Sequence, residues 1–206
     1  MSEKLRLGVL ISGSGTNLQA IIDESVAGRL DAGVVVVVSN KEDAYGLVRA
    51  EKAGATAEWV DRAAYTTFAA YNERIRDVFV AHEVDVVIMA GYMRLLGSQV
   101  LDAFPNRVLN IHPAILPSFP GASGIRDAWE YGVKVAGVTV HFANEKFDDG
   151  PIIAQEAVVI ESDDTIETLE EKIHRVEHRI YPMAIQWLAQ GRIEIVDGKT
   201  KIHASA

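Results

Sequence analysis

The chain has 206 residues, 49% of them hydrophobic, and a formal net charge of −9. That length suits one compact domain, and an acidic chain without a Lys/Arg run is poorly suited to nucleic acid. No cysteine is present, which excludes disulfides, thiol nucleophiles and thiolate-held zinc.

The N-terminal MSEKLRLGVLI lacks the apolar core and cleavage site of a signal peptide. No apolar run reaches the roughly 18 residues of a membrane span, so a soluble, cytoplasmic chain that avoids membranes is expected. Leu5 to Ile11 reads as a short buried strand, followed by Ser12-Gly-Ser-Gly-Thr-Asn17. Leu18, Ile21, Ile22 and Val26 then recur at helical spacing, with Gly28 near the end. Gly33 to Val38 is a glycine followed by five valines, as expected of a strand buried on both faces. Ala44 to Ala53 reads as a helix stopped by Gly54, and Thr56 to Val60 as a strand. Phe68, Tyr71, Ile75, Val78 and Phe79 mark an amphipathic helix. Val84 to Ala90 is another buried strand, Ser98 to Phe104 a short helix, and Arg107 to Ile111 a strand.

After residue 124 the character changes. Val133 to Ala143 and Ile152 to Ile160 read as strands that add antiparallel to the sheet. A helical stripe then runs from Ile166 through Leu169, Ile173, Val176, Ile180 and Met183 to Trp187, with a kink expected at Pro182. Arg192 to Val196 and Lys199 to Ile202 flank Asp197-Gly198 as a terminal hairpin. Strands alternating with helices predict an α/β, Rossmann-like single domain over residues 1–206. Its twisted sheet is mostly parallel and flanked by helices.

In an open parallel sheet, ligands collect at the carboxyl ends of strands. Three polar loops follow strands here: 12–17, 91–96 and 110–121. The first is small and precedes a helix, so its backbone N–H groups and the helix dipole suit an anion. It matches neither GxGxxG nor the P-loop, and an N-cap through Thr16 or Asn17 in a tight turn explains it equally well. Asn110 and His112 sit two apart at a strand end, so both side chains point to one side. The prolines that follow stiffen the loop. His112 alone reads as a structural histidine as readily as a proton donor. Asp148, in Phe147-Asp-Asp-Gly-Pro151, is its natural charged partner, although the same residues also serve a turn. His174-Arg-Val-Glu-His178 matches an H-x-x-E-H zinc pattern. The apolar Ile173, Val176 and Ile180 mark it as an ordinary packed helix, and no metal is expected.

Taken together, VLISGSGTNLQAII (9–22), VSNKEDAYGL (38–47), MAGYMRLL (89–96), NIHPAILPSFPG (110–121), FDDGP (147–151) and EHRIYP (177–182) resemble the phosphoribosylglycinamide formyltransferases. The resemblance implies transfer of a formyl group from 10-formyltetrahydrofolate, as co-substrate, to the amine of glycinamide ribotide in purine synthesis. It implies a ribotide-phosphate half over about 1–105 and a folate and catalytic half over about 106–206. Gly15, Thr16 and Asn17 would hold the phosphate end, with Glu177 a further ribotide contact. Met93, Arg94, Leu95 and Leu96 would line the folate pocket. Asn110 would donate to the formyl oxygen and His112 would supply the proton. Asp148 would favour the charged imidazole. A homodimer is compatible with this reading.

Two departures stand out. Where many relatives carry a His after Pro-Gly, this chain has Ala122-Ser123-Gly124, so support for Asp148 is expected from Ser123 or water. A folate-contacting Arg of some relatives corresponds to Phe68. Three rivals remain. Formyltetrahydrofolate deformylase would be expected to carry a domain before residue 5. Methionyl-tRNA formyltransferase would be expected to carry one after residue 206. A non-catalytic phosphate-binding module would need only the 12–17 loop.

Overall fold

A computed structural model describes residues 4–204. Seven strands form one sheet: β1 (Leu5–Ile11), β2 (Ala32–Ser39), β3 (Thr56–Trp59), β4 (Val86–Met89), β5 (Val108–His112), β6 (Val135–Phe142) and β7 (Ile152–Val159). Their spatial order is β3-β2-β1-β4-β5-β6-β7. The first five pair in parallel, while β5–β6 and β6–β7 are antiparallel. The helices are α1 (Thr16–Val26), α2 (Tyr45–Lys52), α3 (Phe68–Ala81), α4 (Ser98–Leu101), α5 (Gly124–Tyr131) and α6 (Ile166–Ala189). A separate hairpin of β8 (Ile193–Val196) and β9 (Lys199–Ile202) follows α6.

The apolar strands are buried on both faces because alternate side chains enter different cores. Leu7, Val9, Ile11, Val37, Ile88 and Leu109 pack with α1, α5 and α6. Leu10, Val36, Val38, Val87, Met89 and Val108 pack with α3 and α4. The valine run of β2 is thus divided between two layers.

Two elements lie outside the sequence expectation. Residues Arg62–Ala64 form a 3-10 turn, and Gly124–Tyr131 forms α5, closed by Gly132 at φ 81°. In α5 only Ile125, Ala128 and Trp129 face the core, too short a stripe to stand out as a period. Strand β5 also extends one residue further than expected, so His112 belongs to the strand and shares its rigidity. Helix α6 continues through the buried Pro182 without interruption.

Tyr181 fixes α6 against the sheet. Its side chain is fully buried, and its hydroxyl lies 2.9 Å from the carbonyl oxygens of both Met89 and Leu109. Burial pushes its phenol far up, against the opposing hydrogen bond to Met89, so the hydroxyl stays protonated and donates. This contact ties one helix to neighbouring strands β4 and β5. Replacing Tyr181→Phe keeps the ring but removes the donor, and is expected to cost about 1–3 kcal/mol. Urea unfolding of the variant measures this; an unchanged midpoint would contradict the assigned bond.

Candidate active site

The chain leaves β1 toward β2 and β3 on one side, then returns to place β4 on the other side of β1. Such a reversal of strand order opens a crevice at the carboxyl ends of the strands. Here the 12–17 loop after β1 and the 90–96 segment after β4 become neighbours. With the end of β5, residues 141–148 and α6, they enclose a cavity of about 900 Å³. Gly15, Thr16, Asn17, Met93, Arg94, Leu95, Leu96, Asn110, His112, Asp148 and Glu177 all line it.

At one end, α1 begins with Gly15 as its N-cap, at φ 70° and without a side-chain cap. Neither Thr16 nor Asn17 caps the helix. The first-turn N–H groups therefore keep the orientation and charge that suit an anion. Gly15 is required twice over: its φ disfavours other residues, and a Cβ there would lie 2.8 Å from Gly46 Cα. The Asn17 side chain turns toward α6. Its Nδ2 donates to Glu177 Oε2 at 3.1 Å, and its buried Oδ1 has no partner. His174 Nδ1 reaches the same Glu177 oxygen at 2.8 Å. The Asn17 amide is thus held beside Glu177.

At the other end, Asp148 collects donors. Gly121 N–H donates to its Oδ2 at 2.8 Å and Asn110 Nδ2 donates to its Oδ1 at 3.2 Å. His112 Nδ1 lies 3.4 Å from Oδ2, and His141 Nε2 lies 3.5 Å from Oδ1. The Asp148 side chain is 5% exposed. Burial pushes its carboxyl up, but His141, the Gly121 N–H and the charges of His112 and His141 pull it further down. The net effect lies below the usual carboxylate range, so Asp148 stays ionised.

The Asn110 amide and the His112 ring converge on Asp148, a strong acceptor. His112 Nε2 lies 2.7 Å from the Phe119 carbonyl oxygen. Both ring nitrogens thus face oxygen atoms. Support for Asp148 comes from Gly121 and His141, not from Ser123. His141 escaped the sequence reading; it stands opposite Asn110 in the β5–β6 register.

The segment between these groups is fixed by Thr139, the cross-strand partner of His112. Its Oγ1 donates to Ala114 O at 2.7 Å and accepts from Leu116 N at 3.1 Å. Phe119 and Asp148 both adopt left-handed backbone, at φ 52° and 51°. Each costs on the order of 1–2 kcal/mol relative to ordinary geometry, a strain concentrated around His112. Phe68 is 44% exposed at the start of α3 and does not line the cavity.

A formyl transferase family model matches residues 5–185. The chain belongs to the formyl transferase family. The family contains phosphoribosylglycinamide formyltransferase of Bacillus subtilis, which is 40% identical over 183 residues, covering 89% of this chain and 94% of that protein. The trifunctional purine biosynthetic protein adenosine-3 of Bos taurus is 42% identical over 94% of this chain. The chain spans only 19% of that relative's length. The solved glycinamide ribonucleotide transformylase 1 from Symbiobacterium toebii superposes with a TM-score of 0.96 at 50% identity, covering 99% of this chain and 96% of that one. A formyltetrahydrofolate deformylase from Pseudomonas syringae shares the fold, with a TM-score of 0.91 at 26% identity, over 98% of this chain and 67% of that one.

The His174–Glu177 contact predicts a pH dependence. The hydrogen bond to Glu177 raises the His174 pKa above 6.5, against the opposing effect of burial, and the charges of Glu177 and Glu170 add to the rise. A raised folded-state pKa stabilises the protein fully below the unfolded value, and the gain is lost as pH rises through the folded value. His174→Gln should therefore lower Tm more at pH 6 than at pH 9. Equal losses at both would contradict the pairing.

Proposed function

We propose that this chain transfers the formyl group of 10-formyltetrahydrofolate to the amine of N1-(5-phosphoribosyl)glycinamide, giving tetrahydrofolate and formylglycinamide ribotide in purine biosynthesis. The observation that carries this is one cavity with two chemically distinct ends. An uncapped helix N-terminus beside Asn17 and Glu177 suits a phosphate and polyol. The Asn110–His112–Asp148 group suits an acyl transfer. Met93, Arg94, Leu95 and Leu96 lie between them and would hold the folate.

The amine lone pair attacks the formyl carbon, and the carbonyl π pair moves onto oxygen. Asn110 Nδ2, placed by the rigid end of β5, exchanges one of its contacts to Asp148 and His141 for that oxygen and donates to it. One such donor in acyl transfer typically contributes about 10²–10³ in turnover. As the intermediate collapses, the carbon–N10 bond breaks and its electron pair stays on N10. The amine loses one proton and N10 gains one, so the reaction balances without a net proton. His112 mediates this transfer, exchanging the Phe119 carbonyl for the reacting group. Asp148 stabilises the ring while it carries the extra proton.

The deformylase reading shares the fold, but the named bacterial glycinamide enzymes are closer in sequence and match over more of their own length. Release of tetrahydrofolate should therefore require glycinamide ribotide. Equal release without it would establish hydrolysis. His112→Ala should lower turnover by roughly 10²–10⁴ while ribotide affinity changes little. Unchanged turnover would favour a non-catalytic binding module.

A further inference from the structure

The segment 38–47 is prominent in the sequence, yet the chemistry above makes no use of it. In the structure it touches both substrate loops. Gly46 N–H donates to Gly13 O at 3.1 Å, and Arg49 Nε donates to Ser14 O at 2.9 Å, bracing the 12–17 loop from outside. Asn40, half-buried after β2, faces inward and lines the cavity. With its amide oriented to satisfy every neighbour, Nδ2 donates to Ser12 Oγ at 2.6 Å and to Ile11 O at 3.3 Å. Its Oδ1 then accepts from Arg94 Nε at 3.1 Å. Ser12 Oγ also accepts from Met93 N–H at 3.1 Å.

The 91–96 segment has no regular secondary structure and exposes Met93 and Arg94. Its polar anchors fall into two groups. The Tyr71–Tyr92 hydroxyl pair at 2.8 Å and Gly97 N–H on Asn72 Oδ1 at 2.8 Å tie it to α3. The bonds of Met93 and Arg94, both exposed and both lining the cavity, run instead to Ser12 and Asn40. The wall assigned to folate is thus held by the loop assigned to the ribotide phosphate, and Asn40 is the side chain that spans both.

We propose that Asn40 is a positioning residue that couples the two substrates: its amide joins Ser12 of the ribotide loop to Arg94 of the folate wall, so binding of either ligand tightens binding of the other. This deepens the assignment of the two ends of the cavity and rests on it. Ordering Ser12 and Asn40 by the ribotide pre-orders the Met93 and Arg94 bonds, so the folate pays less entropy on binding, and linkage makes the effect reciprocal.

The test is calorimetric titration of tetrahydrofolate, which carries no formyl group to transfer, with and without saturating glycinamide ribotide. The intact chain should bind tetrahydrofolate on the order of fivefold more tightly when the ribotide is present. Asn40→Ala should bind each ligand alone yet lose that enhancement. Asn40→Asp keeps an acceptor for Arg94 and one for the Ser12 hydroxyl, and should retain it. A purely structural role would weaken both ligands and leave the enhancement intact in Asn40→Ala, which would overturn the proposal. Independent binding in the intact chain would overturn it equally. Failure of the intact chain to bind either ligand would instead overturn the functional assignment beneath it.

Discussion

The site is organised around one buried carboxylate. Asp148 brings together a strand end through Asn110 and His112, a loop through the Gly121 amide, and a neighbouring strand through His141. An isolated ionised carboxylate in such a place would cost several kcal/mol and would neutralise itself. Hydrogen bonds and two imidazoles reverse that outcome and hold the charge. The arrangement requires unusual backbone. Asp148 is left-handed, and two residues on, a Cβ at Gly150 would lie 1.7 Å from the Phe142 carbonyl oxygen. The FDDGP turn is therefore pressed against β6 so tightly that only glycine fits, and this close approach carries the carboxylate to the histidines.

Topology supplies the other end of the cavity. Because strand order reverses between β1 and β4, two loops far apart in sequence meet beside one crevice. Helix α6 then closes the side of the cavity at Asn17. Tyr181 locks it to the carbonyls of β4 and β5, which fixes Glu177 one turn away against Asn17. The EHRIYP segment is thus one device: the glutamate faces the cavity and the tyrosine holds the helix that presents it.

The fold was largely legible in the sequence because its strands are apolar on both faces and its longer helices carry clear stripes. Asn110 and His112 were legible as a pair because strand alternation puts residues two apart on one face. Four features were not. His141 enters the site through the β5–β6 register, which nothing local specifies. The Gly121 contribution is a backbone N–H, which carries no side-chain signature. His174 stood out only as half of a zinc-like pattern. In fact it pairs with Glu177 at the cavity, while the His178 ring stacks on it 6.3 Å away, its Nε2 buried without a partner. The orientation of the two donors was also beyond reach, since it depends on the acceptors that Phe119 and Asp148 present.

The central claim is that the Asp148 charge holds the loop at Gly121 and the donors of β5 in one assembly. Amide hydrogen exchange at Gly121, compared between the intact chain and Asp148→Ala, tests it most directly. The account predicts that this loop amide is protected in the intact chain, and that it exchanges at the rate of an open loop once the carboxylate is gone. Rapid exchange in both proteins, or undiminished protection in the variant, would contradict it.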